Sequence, residues 1–455
     1  VLRDFDEFDD VFTHHVSRIT FSRITFSRIT LHESRRQLGL KVITMTITIN
    51  ASRLHATIAE LSQFTEANTP GWTRRFPSEA YKQSRRWLRQ QMEATGLTTE
   101  LDAVGNLFGR SAGREALPAL HIGSHTDTVM GGGRFDGVLG VIGGLEVVRT
   151  LRDANYQLRH PLILADYLSE EATDYAIACM GSLARYTDHF KAAWLDRTVN
   201  GITLRQAITD MGGQPDQLGH CLVQPGEIAA ALELHIEQGP VLEARGARLA
   251  AVSGIVGIRR AVLELRGKAN HAGATPMDLR QDAMAAAARI ICAVEDIARA
   301  HPGTVGTIGK VEVRPNQGNV IAAQVTMMPE MRSLNMNEVD GMWAQLMTVV
   351  ANACNERGVT YQLFNDTRMD SVIPPAWLHE TVLHICRQHD PKAIVTPSGA
   401  GHDTNYVALL APAAMIFVPS IDGRSHAPEE FTQPEDLALG VQVLAEAVIA
   451  LDQQL

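Results

Sequence analysis

The sequence has little cysteine. Its five residues (Cys179, Cys221, Cys292, Cys354, Cys386) are an odd number, widely spread, with no CxxC pair. This argues against a disulfide framework and against a thiolate zinc site, and a reducing cytoplasm is the simplest compartment. Basic charge is also short: 41 Lys and Arg against 51 Asp and Glu give a net charge of -10. Nucleic acid needs a basic footprint, so it is not the expected partner; a small anion held by one or two local arginines stays open. Long apolar runs are absent. The most apolar one, from Tyr406 to Pro419, is too short to cross a membrane, carries Pro412, and reads as core strand. What remains is 45% hydrophobic and 20% charged over 455 residues, a soluble globular chain with length for two or three domains.

The first 44 residues read as a non-native or disordered tail. "SRITFSRITFSRITL" repeats a five-residue unit from Ser17 to Leu31 and matches no solenoid period, and Met45 is the expected natural start. From Asn50 the text is ordinary. Asn50 should cap a helix with Leu54, Ile58 and Leu61 inside, and Ser78 should open a second that ends near Gly96. "LPALHIGSH", "HPLILADYLSEE" and "AALELHIEQGP" are apolar runs ending on polar residues, as buried parallel strands do. "DGVLGVIGGLEVVRTL" is a helix whose small residues allow close packing. Strand and helix alternate, and charge falls at the strands' carboxyl ends, where open α/β sheets place ligands. Near Val256 the pattern changes. A strand, a helix at about 282–300, strands at Thr304–Val313 and Val320–Met328, a helix at 338–357 and "VTYQLF" follow the ferredoxin-like split order. The expected organisation is α/β: a mostly parallel-sheet domain in two parts, 45–255 and 373–455, with an α+β domain inserted at 256–372.

The strand ends collect His125, Asp127, Asp136, Glu170, Glu171, His235 and Glu237, and late in the chain His402, Asp403 and His426. Such a histidine–carboxylate mixture suits zinc, manganese, cobalt or nickel. In an adjacent pair such as Glu170–Glu171, one can ligate metal while its neighbour acts as a base toward water. Singly these signals are weak: HxD, one "EE" or "GGG" is ordinary, and His55, His160 and His220 read as surface or core. Their conjunction at successive strand ends is the signal. Gly131, Gly132 and Gly133 are expected to let the backbone bend so that His125 and Asp136 reach one site.

"HTDTVMGGGRFDG", "SEEATDYAIACMGS", "ELHIEQGPVLE", "KANHAGATPMDLRQDA" and "SGAGHDTNYVALLAPAAMIFVPSIDGRSHAPEE" resemble the hydantoinase/carbamoylase amidases of the dinuclear metallopeptidase and aminoacylase superfamily, in order and spacing from about residue 50 to the end. The resemblance implies two divalent ions (Zn, Mn, Co or Ni). His125 and His235 would hold one, Glu171 and His426 the other, with Asp136 bridging. Asp127 would orient His125, and Glu170 would be the general base. His271, in the inserted domain, would polarise the amide oxygen. Asn319 and Arg332 would hold the substrate carboxylate, Gln238 would touch the carbamoyl end, and the backbone at Gly401 would line the pocket. The insert would be a lid and dimerisation surface, giving a homodimer in which some of these groups act across the interface. The implied reaction is metal-dependent hydrolysis of an N-carbamoyl (ureido) amide, foremost of an N-carbamoyl-L-amino acid. Allantoate, ureidoglycolate or β-ureidopropionate are the alternatives. An aminoacylase or dipeptidase fits Gln238 and His271 less well, and a non-catalytic scaffold would not need Glu170. Two departures bear on the substrate. Thr173, Asp174 and Tyr175 stand where the family often has an Arg-Phe pair. "MMPEMRS" replaces an aspartate-containing strand, and its Pro329 favours an edge position.

Overall fold

A computed structural model describes residues 47–455, so the expectations for residues 1–44 and Met45 lie outside the described residues. Helix α1 (Ala51–Leu61) starts where the Asn50 side chain accepts from Arg53 N, and it buries Leu54, Ile58 and Leu61 on one face. Ser78 caps α2 (Glu79–Ala94) in the same way. Strands β1 (Thr98–Leu101) and β2 (Leu107–Ser111) follow. β3 (Ala119–His125) and β4 (Leu162–Tyr167) are buried at every residue and flank α3 (Val138–Asp153). A small lobe holds α4 (Met180–Tyr186), the hairpin β5 (Thr198–Val199) and β6 (Ile202–Thr203), and α5 (Leu204–Asp210). The chain returns through β7 (Ile228–Ile236), α6 (Val241–Arg245) and β8 (Ala250–Ile255).

Residues 257–369 then supply every strand of a second sheet. They run β9 (Gly257–Arg266), α7 (Ala283–Ala300), β10 (Val305–Arg314), β11 (Gln324–Ser333), α8 (Met336–Asn355) and β12 (Thr360–Met369). The antiparallel order is β10-β11-β9-β12, and its core, with Leu263, Ile290, Met331 and Leu346, draws only on residues of this stretch. The last part adds α9 (Ala376–His389), β13 (Ile394–Ser398), α10 (Thr404–Val407), β14 (Ala413–Val418) and α11 (Pro434–Gln454).

The large sheet has the order β1-β2-β4-β3-β7-β14-β8-β13. Its centre, β4, β3, β7 and β14, is parallel throughout, so four carboxyl ends open on one edge. Close packing of α3 fixes that edge: a Cβ at Gly140 would lie 2.6 Å from Ser124 Cβ. Beneath the edge, the buried Arg85 pairs with Asp166 at 2.8 Å, and Asp166 also accepts from Thr126 Oγ1 at 2.9 Å. Removing one partner of such a pair costs about 3–5 kcal/mol. Among the described residues no helix is long and apolar enough to cross a membrane.

One strand differs from the expected span. Val320–Met328 was expected as a strand, but β11 begins at Gln324. The apolar residues Ile321 and Ala322 are instead buried in an irregular segment, where Ile321 N donates to Asn270 O and Ala283 N to Ala322 O. Pro329 consequently falls inside β11, which is an interior strand and not an edge. The ladder to β9 skips Met328 and Pro329, and the pairing with β10 is irregular between Ile308 and Val311. A break of this kind accommodates a residue without an N–H.

Candidate active site

His125 ends β3 and His235 lies one residue before the end of β7. Both are 1% exposed. His235 Nδ1 lies 2.9 Å from Ile236 O, which fixes the proton on Nδ1 and leaves Nε2 as an acceptor, filled by Gly137 N at 3.0 Å. His125 Nδ1 lies 3.1 Å from the carbonyl of Asp127 and 3.6 Å from its carboxylate. Both nearer partners keep the proton on Nδ1, so each Nε2 carries the lone pair and faces the same point, that of His235 also accepting from Gly137 N. That point is Asp136. Its Oδ1 is 3.6 Å from His125 Nε2 and 3.3 Å from His235 Nε2. Its Oδ2 is 3.4 Å from His426 Nε2, which lies 3.3 Å from Glu171 Oε1. One carboxylate thus belongs to two donor sets: His125–Asp136–His235 and Asp136–Glu171–His426.

The glycines act differently from one another. Gly137, at φ +63, sits so close to His125 that a Cβ would fall 2.4 Å from its Nε2. Gly133 makes room for Glu430, whose Oε1 would be 2.1 Å from a Cβ there. Of the expected triplet only Gly131 has a positive φ.

Asp127 does more than face His125. Its two carboxylate oxygens accept from Glu170 N at 3.2 Å and Glu171 N at 3.1 Å, which holds the Glu170–Glu171 turn against the end of β3. The loop it holds is strained: Ser169, Ala176 and Cys179 all have positive φ. Glu171 then reaches His426, while Glu170 Oε2 lies 3.6 Å from His125 Nε2 and Glu170 Oε1 accepts from Cys179 Sγ at 3.2 Å. Burial, with the charges of Glu171, Asp403 and Asp127, pushes the Glu170 carboxyl well above the usual range against the pull of His125. Burial and Asp136 push Glu171 to about 7. Burial alone would also raise Asp136, but His235, His426 and His125 hold it well below the ordinary carboxylate value.

Of the other expected residues, His402 and Gln238 touch this cluster, His402 sharing a third group of donor atoms with Glu233 and His235, while the rest make no bond to it among the described residues. Glu237 accepts from Val241 N and Leu242 N at the start of α6. His402 packs edge-on against His235 at 4.7 Å and bonds Ser398; Asp403 bonds Ser182. Gln238 is part of the cluster, its Nε2 donating to Asp136 Oδ2 at 2.7 Å. His271 and Asn319 are exposed neighbours on the second sheet's side, joined by Ala272 N donating to Asn319 O. Neither has a hydrogen bond or ion pair with the cluster among the described residues. Arg332 Nη1 donates to Gly399 O, two residues before Gly401, and its Nε pairs with Glu330 at 2.6 Å.

Three contributors lie outside the expected set. Glu430 and Ser425 bond Asp136, and Cys179 bonds Glu170. Glu430 and Ser425 stand in "RSHAPEE", beside His426, but their target is some 290 residues away and leaves no local trace. The donor set fits a divalent cation. Asp127, Asp136, Glu170 and Glu171 are buried or nearly so, and no lysine or arginine among the described residues forms an ion pair with any of them. The buried Arg74 and Arg85 act electrostatically on Asp127, and the carboxylates of Asp136, Glu170 and Glu171 gathered with histidine nitrogens are the chemistry of a metal site.

Residues 121–450 match the family described as Peptidase family M20/M25/M40. The N-carbamoyl-L-amino acid amidohydrolase of Geobacillus stearothermophilus is 36% identical over 406 residues, 89% of this chain and 99% of that one. A ureidoglycolate hydrolase of Oryza sativa subsp. japonica is 33% identical, covering 89% and 86%. The crystal structure of a hydantoinase/carbamoylase family amidase from Burkholderia multivorans superposes with a TM-score of 0.81 at 32% identity, covering 89% and 98%. The chain therefore belongs to peptidase family M20/M25/M40, and within it to the hydantoinase/carbamoylase amidases.

Proposed function

We propose that this protein is a dinuclear amidohydrolase that cleaves the ureido amide of an N-carbamoyl-L-amino acid, releasing the amino acid, ammonia and carbon dioxide. The observation that carries this reading is Asp136, whose two oxygens face two separate histidine–carboxylate sets at 3.3–3.6 Å. Cations held there, one by His125 and His235 and one by Glu171 and His426, would polarise the ureido carbonyl and lower the pKa of a water. Glu170 takes the proton of that water and passes it to the leaving amine as the C–N bond breaks. His271 donates to the developing oxyanion. Gln238 orients the carbamoyl end, the Gly401 backbone lines the pocket, and Asn319 and Arg332 hold the substrate carboxylate. Carbamate released by the cleavage decomposes to carbon dioxide and the second amine, so one water balances the reaction.

Residues 256–372 form the lid and dimerisation domain in this reading. Met277 (77% exposed), Leu279 (66%), Met284 (53%) and Ile291 (38%) place apolar surface on α7 and the turn before it, which suits burial against a second copy. The exposed His271 and Asn319 then reach the cluster by lid closure or from the partner. The double variant Met284→Asp, Ile291→Asp is expected to be monomeric by analytical ultracentrifugation and to lose kcat. A dimer that survives both charges would place the interface elsewhere. For the carboxylate, Arg332→Ala is expected to raise KM roughly 10- to 100-fold, the worth of a charge-assisted hydrogen bond, with a smaller change in kcat. An unchanged KM would remove Arg332 from the substrate site.

The test of the function is ammonia release by protein stripped of metal and resupplied with manganese, cobalt, nickel or zinc. The panel is N-carbamoyl-L- and D-amino acids, allantoate, ureidoglycolate, β-ureidopropionate, and N-acetyl amino acids and dipeptides, the last two assayed for the freed amino acid. Metal-dependent turnover of N-carbamoyl-L-amino acids is the expected result. Turnover confined to acyl or peptide substrates would move the protein to another branch of the family.

A further inference from the structure

We infer that Glu430, acting with Ser425, is a positioning residue that locks the Asp136 loop and the His426 loop into one unit, so that metal affinity depends on a carboxylate that holds no metal. The inference rests on the proposed role of Asp136.

Glu430 is 2% exposed. Its Oε1 accepts from two successive backbone N–H groups, Phe135 N at 3.0 Å and Asp136 N at 3.2 Å. Two bonds to adjacent peptide planes fix the direction in which Asp136 leaves the backbone. The absence of a side chain at Gly133 is what admits the carboxylate. Its Oε2 lies 3.0 Å from Ser425 Oγ, which is itself 2.7 Å from Asp136 Oδ2. One hydroxyl proton therefore sits between two carboxylates and can serve either. Glu430 thus reaches both the main chain and, through Ser425, the side chain of Asp136.

The same residue closes the other loop. Glu430 N donates to Ala427 O at 3.0 Å, and the turn it closes begins directly after His426, which is at φ +56. A non-glycine residue in that region persists only where its surroundings hold it. The neighbouring rings of Phe135 and Phe431 pack edge to face at 6.1 Å and tie the segments a second time. The first part of the chain brings Asp136 and Glu171 to the second donor set and the last part brings His426, and Glu430 stands at their junction. Glu429 beside it is exposed and supplies a matched control.

The experiment is competition for zinc, manganese, cobalt or nickel against a fluorescent chelator for wild type, Glu430→Ala, Ser425→Ala and Glu429→Ala, with melting curves in EDTA to score folding apart from metal. Loss of a group that orients a ligand typically weakens binding 10- to 100-fold. Glu430→Ala is expected in that range and Ser425→Ala at about tenfold, while Glu429→Ala matches wild type. Turnover of the two weakened variants should recover substantially in excess metal, because neither group touches substrate. Should Glu430→Ala fail to fold, Ser425→Ala, which deletes one hydroxyl, decides the matter. Wild-type affinity in a folded Ser425→Ala or Glu430→Ala, or an equal loss in Glu429→Ala, overturns the inference. A wild type that binds none of zinc, manganese, cobalt and nickel overturns the metal reading and this inference with it.

Discussion

Asp136→Ala is expected to retain neither cation after dialysis and to lose amidohydrolysis by at least about 10³-fold, the worth of several kcal/mol of metal-supplied stabilisation. The size of the effect follows from geometry. The first set without Asp136 is two imidazoles, His125 and His235, with no anionic ligand. The second is reduced to Glu171 and His426. Each loses a ligand, and the two lose the oxygen bridge that sets their separation. Asp136→Asn separates charge from shape. It leaves an amide that Gln238 and Ser425 can still contact, and it should fail in the same direction. Metal content by mass spectrometry, measured on folded protein, is the check. Full occupancy with retained turnover would end the dinuclear reading.

What could be read from the sequence here was local periodicity and the chemistry of strand ends. Leu54, Ile58 and Leu61 behind Asn50 announce α1 because spacing and cap agree. β3, β4 and β7 are legible because a strand buried on both faces is a mostly apolar run that turns polar toward its carboxyl end. That is why His125, Glu171 and His235 could be suspected of meeting; Asp136 and His426, in loops beyond the strand ends, were joined to them as ligands by the family resemblance, and the structure brings the five together. The same cue picks up His402, which packs on His235 and shares a donor group with it and Glu233, and it also picks up Glu237 and Asp403. A carboxylate capping α6 and one bonding Ser182 look the same in text as a metal ligand. The start of β11 was not legible, since Ile321 and Ala322 are apolar and buried but belong to an irregular segment before the strand. Nor was the main work of Asp127. Its partners are the backbone N–H groups of Glu170 and Glu171, and backbone donors carry no residue type. Glu430 is the extreme case, a buried acid whose role exists only once Gly133 and Phe135 fold against it.

The adjacent acids Glu170 and Glu171 should separate cleanly on substitution. Glu170→Gln is expected to keep both metals and to leave KM near wild type while kcat falls about 10²- to 10⁴-fold, the usual contribution of a general base. The amide fits the same space. Glu170 N stays on Asp127 Oδ1, and Cys179 Sγ can still donate to the side-chain oxygen. Only the capacity to accept a proton is gone. Glu171→Gln should do the reverse: it weakens the second donor set and shows as lost metal before lost chemistry. Stability supplies an independent sign. The Glu170 carboxyl is pushed up by burial and by Glu171, Asp403 and Asp127, so its charged form destabilises the metal-free fold, and the penalty grows as pH rises. Metal-free Glu170→Gln should therefore melt at or above the wild-type temperature at pH 8, with less difference in acid, where the carboxyl is neutral in both folded and unfolded chains. A variant that folds better, binds metal fully and turns over poorly is the signature of a base held at a cost to stability. Loss of metal in Glu170→Gln, or unchanged kcat, would mean that the two acids have exchanged roles or that neither is the base.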